Sequence, residues 1–189
     1  MAWLNRLFGS PEKGTAAQVA GGMVLAIAQR TNMLMEFLQK EGFAQKRTLL
    51  DPFSFRFQCL LFLAFPFYAM TPGELGIHSD RFRKEFVKQL IKVGITGDGE
   101  ELPPAEYSEF ESSTVNTLRE YTDLWQAADD PAELMLNLDA LAQWHILGPS
   151  LVAIEERYSS IKVRQSLFRE ANNVFKNSIG FGRRYKIVG

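Results

Sequence analysis

The chain has 189 residues, 46% of them hydrophobic and 23% charged, with a formal net charge of −1. That length and apolar content suit one domain with a substantial core, and the near-zero charge argues against a chain drawn to nucleic acid by an overall positive field. A single cysteine, Cys59, excludes an internal disulfide framework and favours a reducing compartment, the cytoplasm.

Residues 1–12 read as an amphipathic segment and linker. Trp3, Leu4, Leu7 and Phe8 cluster on one side beside Arg6, and Gly9-Ser10-Pro11 ends the pattern. No apolar h-region follows, so this is not a secretory signal. Such a segment suits a short membrane-interface anchor or a plug for a partner's groove. The competing reading is a segment that docks on its own core, since seven residues bury too little area to hold a membrane alone.

Residues 13–180 read as one helical domain. In 14–41, Ala16, Ala20, Met23, Ile27, Leu34 and Phe37 form one stripe, with Ala17, Gly21, Val24, Ala28, Met35 and Leu38 beside it. Two stripes predict burial on more than one side. Ala17 and Gly21 invite a close helix contact, and Gly21-Gly22 predicts a kink.

The Phe-rich stretch 49–70 follows. Its uncharged interval, Phe57 to Pro72, falls short of the roughly 20 apolar residues that span a bilayer. It therefore reads as a core helix that Pro66 interrupts. Thr71, Pro72 and Glu74 then fit the N-cap, N1 and N3 positions of a new short helix. In 79–94, Phe82, Phe86, Leu90 and Val93 make an apolar stripe, with Arg81, Arg83, Lys84, Lys88 and Lys92 spread over the remaining surface and Gly94 as the stop. Residues 104–128 form the next helix. Asp130, Pro131 and Glu133 open another that ends near His145.

The last helix, from Ser150 to about Ile179, carries a regular seam: Leu151, Ile154, Tyr158, Ile161, Gln165, Phe168, Asn172, Phe175 and Ile179. Spacings of three and four repeat as in a coiled coil, with Gln165 and Asn172 at polar a positions. The flanking e and g positions are mostly basic, so a parallel self-pair sets like charge against like. A monomer is therefore favoured over a dimer through 151–179. Charge is strongly segregated: residues 98–156 hold fourteen acids and one arginine, whereas 157–189 hold eight basic residues and one acid. This predicts that the last helix folds onto the acidic middle of the chain.

Residues 181–189 read as a basic tail. Arg183, Arg184, Tyr185 and Lys186 are the types that meet phosphate or an acidic protein surface, or the tail folds back on its own chain. Only these last few residues alternate with period two. The fold class is therefore all-α, a bundle of about six helices with an amphipathic start and a basic end.

Catalytic constellations are sparse. His78 and His145 lack a second ligand at metal spacing. Glu100-Glu101, Asp129-Asp130 and Glu155-Glu156 are sequence neighbours, which point to different sides of a helix. No catalytic residue, metal or cofactor is assigned. The leading expectation is a non-enzymatic protein acting through protein contacts, as an adaptor, regulator or assembly component. One alternative is a helical domain, even an enzyme, that binds an apolar ligand in a cavity lined by Phe residues of 53–67 and 82–86. Another is a peripheral membrane protein anchored by its N-terminus.

Overall fold

The computed structural model describes residues 12–40, 52–95, 104–127, 129–130 and, apart from 167, 168, 171, 175 and 179, residues 165–188. In chain order these are β1 (Glu12–Gly14), α1 (Ala16–Lys40), α2 (Pro52–Leu75), a 3-10 turn (Gly76–His78), α3 (Ser79–Ile95), α4 (Pro104–Ala127), helical backbone within 165–178, a one-turn helix α5 (Phe181–Arg184) and β2 (Tyr185–Ile187). The fold is mostly helical, as the periodicity implies. The helix expected over 131–145, His145 and the seam positions from Leu151 to Ile161 lie outside the described residues.

α2 is the central element and lies against α1, α3, α4 and α5. By length and composition, the helical run Arg56–Gly94 could cross a membrane. In the fold, however, the side chains from Cys59 to Ala69 are all buried beneath the chain's own helices. Rings fill the interior. Phe62 and Phe65 meet Tyr121 of α4 at centroid distances of 5.3 and 5.4 Å, and Phe57 meets Phe110 at 4.9 Å. Burial pushes the Cys59 thiol and the Tyr121 phenol far above their ordinary values, with a smaller contribution to Tyr121 from its proximity to Cys59. Both groups therefore sit neutral.

Pro66 does not interrupt α2, and residues 71–74 do not start a new helix; the helix runs unbroken from Pro52 to Leu75 with Pro66 and Pro72 inside it. An interior proline costs about 3 kcal/mol. Phe62, Leu63, Phe65, Phe67 and Tyr68 around Pro66 are each at most 5% exposed. At roughly 1.5–3 kcal/mol per buried side chain, burial outweighs the lost bond. The Thr71 hydroxyl does not cap; it donates to the Phe67 carbonyl one turn back, at 2.7 Å.

Pro72 has no N–H for the Tyr68 carbonyl, and Arg83 of α3 supplies the missing donors. Its Nε and Nη2 donate to that oxygen at 3.2 and 3.0 Å, and its guanidinium sits 4.5 Å from the Tyr68 ring centroid. The sequence pattern spreads Arg83 over the surface. Here it is half-buried and ties two helices together.

α1 begins with a capping box that the sequence reading overlooks. Gln18 N donates to Thr15 Oγ1 and Thr15 N donates to Gln18 Oε1, at 3.3 and 2.9 Å. α1 is one helix through Gly21-Gly22, and a methyl at Gly21 would meet only the end of Gln89 at ordinary contact distance. The glycine that close packing requires is Gly94. It is the penultimate residue of α3 (Ser79–Ile95), and a Cβ there would overlap the Phe57 ring.

Candidate functional site at the joined chain ends

β1 and β2 form a two-stranded parallel ribbon, with Glu12 beside Tyr185, Lys13 beside Lys186 and Gly14 beside Ile187. An otherwise all-helical reading omits this ribbon. Val188 N extends the pairing by donating to the Gly14 carbonyl at 3.1 Å. Alternation along a strand explains the pattern. Gly14 and Ile187 lie on the inward face and are buried, and Tyr185 packs against the core. Lys13 occupies the outward position and is exposed, with Lys186 at the matching register position.

Three contacts fix the C-terminal segment before it reaches β2. Phe181 is fully buried, with its ring 5.7 Å from Phe67 and 5.7 Å from Phe82. Gly180, at φ 73°, donates its N–H to Glu74 Oε1 at 2.7 Å. That left-handed conformation is open to glycine at little cost. Glu74, read from sequence as a cap within its own helix, instead holds a residue at the other end of the chain.

Residues 181–188 thus fold back on their own chain. Among the described residues their dock is the α2–α3 corner and β1. Arg183 and Arg184 lie in α5, Tyr185 and Lys186 in β2, and Arg184 and Tyr185 are half-buried. Trp3, Leu4, Leu7 and Phe8 lie outside the described residues.

On α3, Arg81, Lys84, Lys88 and Lys92 are all exposed at spacings of three and four residues, so they share one outer face. Asp80 and Glu85 flank that row. α4 carries the opposite sign on its surface, where Glu106, Glu109, Glu120 and Asp123 are exposed.

In the last helix the described seam positions Gln165 and Asn172 are exposed, whereas Ser166, Val174 and Ser178 are buried. Glu170 accepts from Arg30 Nη1 of α1 at 2.8 Å. That contact joins the one acid of the basic segment 157–189 to a base of α1, the reverse of the pairing that bulk charge suggests. His78 is half-buried in the 3-10 turn. Among the described residues no group of three or more His, Cys, Asp or Glu could hold a metal ion.

Comparison with known protein families, with curated proteins and with solved structures found no match.

Proposed function

We propose that this is a cytoplasmic, non-enzymatic protein that acts through contacts with a protein partner, built as a bundle of about six helices. One observation carries this reading: the outward face of α1. Leu25 and Met33 are 57% and 69% exposed there, with Gly22, Gln29 and Asn32 between and around them. The remainder of α1 is already committed to α2 and α3. Single exposed aliphatic residues are ordinary, but two on one face give a partner an apolar foothold bordered by polar groups.

The apolar-ligand reading is less favoured, because rings of 53–67 and 82–86 are packed on other rings: Phe62 and Phe65 on Tyr121, Phe67 and Phe82 on Phe181, and Phe82 on Phe86. The test is capture of interacting proteins from the native cell with the full chain and with L25D/M33D. Both residues are solvent-facing, so the variant should keep the helical circular-dichroism spectrum and the Tm of the parent. The proposal expects a partner that the parent retains and the variant loses. Identical catches from the two proteins would reject it.

A further inference from the structure

We propose that the outer faces of α1 and α3 form one continuous docking surface, whose partner is an amphipathic protein segment with an apolar stripe beside an acidic one. This deepens the protein-contact reading and rests on it. The two helices pack side by side and run in the same direction. Both start at the β1–β2 end: α1 follows β1 directly, and Phe82 in the first turn of α3 meets Phe181, which precedes β2. Both finish near the start of α2, where Asn32 accepts from Arg56 Nε at 3.1 Å and Gly94 lies against the Phe57 ring. Between those ends they meet at Gly21 and Gln89, where a methyl on Gly21 would stand 3.9 Å from the Gln89 side chain. Both residues are half-buried, so the contact marks the rim between the covered and open side of each helix. At about 100° per residue, Leu25 lies ~40° from Gly21 in one sense and Lys92 ~60° from Gln89 in the other. For parallel neighbours, opposite turns away from a shared contact lead to the same outer side. Leu25 and Lys92 are both exposed, as that geometry requires.

The joined faces are chemically unlike. From 81 to 94 every fully exposed residue of α3 is basic, a line about 16 Å long. The exposed residues of α1 from 15 to 33 carry no charge and include Leu25 and Met33. An acidic amphipathic helix complements both, because carboxylates three and four residues apart repeat at the spacing of the basic line. Its apolar stripe then covers Leu25 and Met33. A nucleic acid would pair its phosphates with the line and leave Leu25 and Met33 in water. A bilayer would take in those two side chains only by stripping water from the Gln29 and Asn32 amides between them. A second copy would have to offer α4, which carries exposed acids. The exposed residues there from 106 to 126 are all polar, so Leu25 and Met33 would bury nothing against them.

The experiment is photo-crosslinking of the full chain in the native cell, with a benzophenone amino acid placed at Leu25, at Lys88 or, as a control, at Asn116 on α4. Positions 25 and 88 should capture the same protein through one stretch in which Asp and Glu outnumber Lys and Arg, and position 116 should not. In binding of the purified full chain to that captured protein, K84E/K88E should weaken affinity at least about tenfold, because like charges facing across an interface repel. High salt should narrow the difference. Both lysines are exposed, so the Tm of the variant should match the parent. Capture at position 25 alone overturns the joint surface and leaves the protein-contact reading standing. Capture at position 88 alone, or at neither, overturns both. Nucleic acid, lipid or a second copy captured at position 88 overturns the proposal, as does a captured stretch without excess acid or an affinity indifferent to K84E/K88E.

Discussion

Arg83→Met isolates one physical relationship, the repair of a proline-broken helix by a side chain from the next helix. The substitution keeps a long apolar stem but removes the charged donors to the Tyr68 carbonyl and the cation over the Tyr68 ring. Hydrogen bonds to a charged group contribute about 1.5–3 kcal/mol, and the ring contact adds about 0.5–1 kcal/mol. The expected loss is about 2–4 kcal/mol in urea unfolding monitored by circular dichroism. At about 2–4 °C per kcal/mol for a chain of this size, Tm falls by roughly 4–16 °C. Pro72→Ala sharpens the test. An alanine there restores the backbone N–H that belongs to the Tyr68 carbonyl, so the oxygen no longer depends on Arg83. In the P72A background the cost of R83M should drop by at least about 1 kcal/mol. Strict additivity of the two substitutions would refute the claim that Arg83 replaces the N–H that Pro72 lacks.

Phe181→Ala should cost about 3–5 kcal/mol in the same assay and speed tryptic cleavage near Arg183; an unchanged midpoint would show that the C-terminal dock contributes nothing. Gly94→Ala gains up to about 1 kcal/mol of helix propensity but overlaps the Phe57 ring, which Phe110 backs at 4.9 Å. Overpacking of about 1–3 kcal/mol should win, and a net gain in stability would contradict the packing. Glu170→Ala removes the carboxylate 2.8 Å from the Arg30 guanidinium, whose side chain is 18% exposed; the expected loss is about 0.5–1 kcal/mol, and a salt-insensitive, unchanged stability would argue against the pair. Cys59 and Tyr121 keep their protons in the fold beyond their ordinary values of 9.0 and 10.0. The unfolded chain therefore loses protons first as pH rises, and stability declines above about pH 9 by roughly 1.4 kcal/mol per pH unit per group. C59A/Y121F should flatten that decline measurably in unfolding curves taken from pH 8 to pH 11.

The apolar spacing carried the helices well. Ala16–Lys40, Ser79–Ile95 and Pro104–Ala127 fall within two residues of their expected bounds. That reflects a 3.6-residue period sustained over several turns, which local sequence records directly. Features that depend on distant partners did not show. Pro66 and Thr71 have strong local preferences, which burial of the surrounding rings and Arg83 override. Arg83 is indistinguishable in sequence from its exposed neighbours Arg81 and Lys84, because nothing local says that Pro72 orphans a carbonyl within its reach. Period two shows in the last few residues, where β2 lies, but not at β1, and the pairing joins segments more than 170 residues apart, which local pattern cannot record. The Thr15–Gln18 capping box was legible, since Thr-x-x-Gln precedes an apolar run. Of the sequence-derived candidates, Arg183 to Lys186 lie on a docked helix turn and strand, whose fixed position only the long-range contacts of Gly180 and Phe181 could reveal.

Amide hydrogen exchange of the full chain in detergent-free aqueous buffer tests most directly whether the phenylalanine-rich helix is the core of a self-contained fold. The account predicts that amides of residues 57–69, apart from the proline, exchange only through global unfolding and are among the slowest in the molecule. Fast exchange across this segment in buffer, with slow exchange appearing only in detergent micelles, would contradict it.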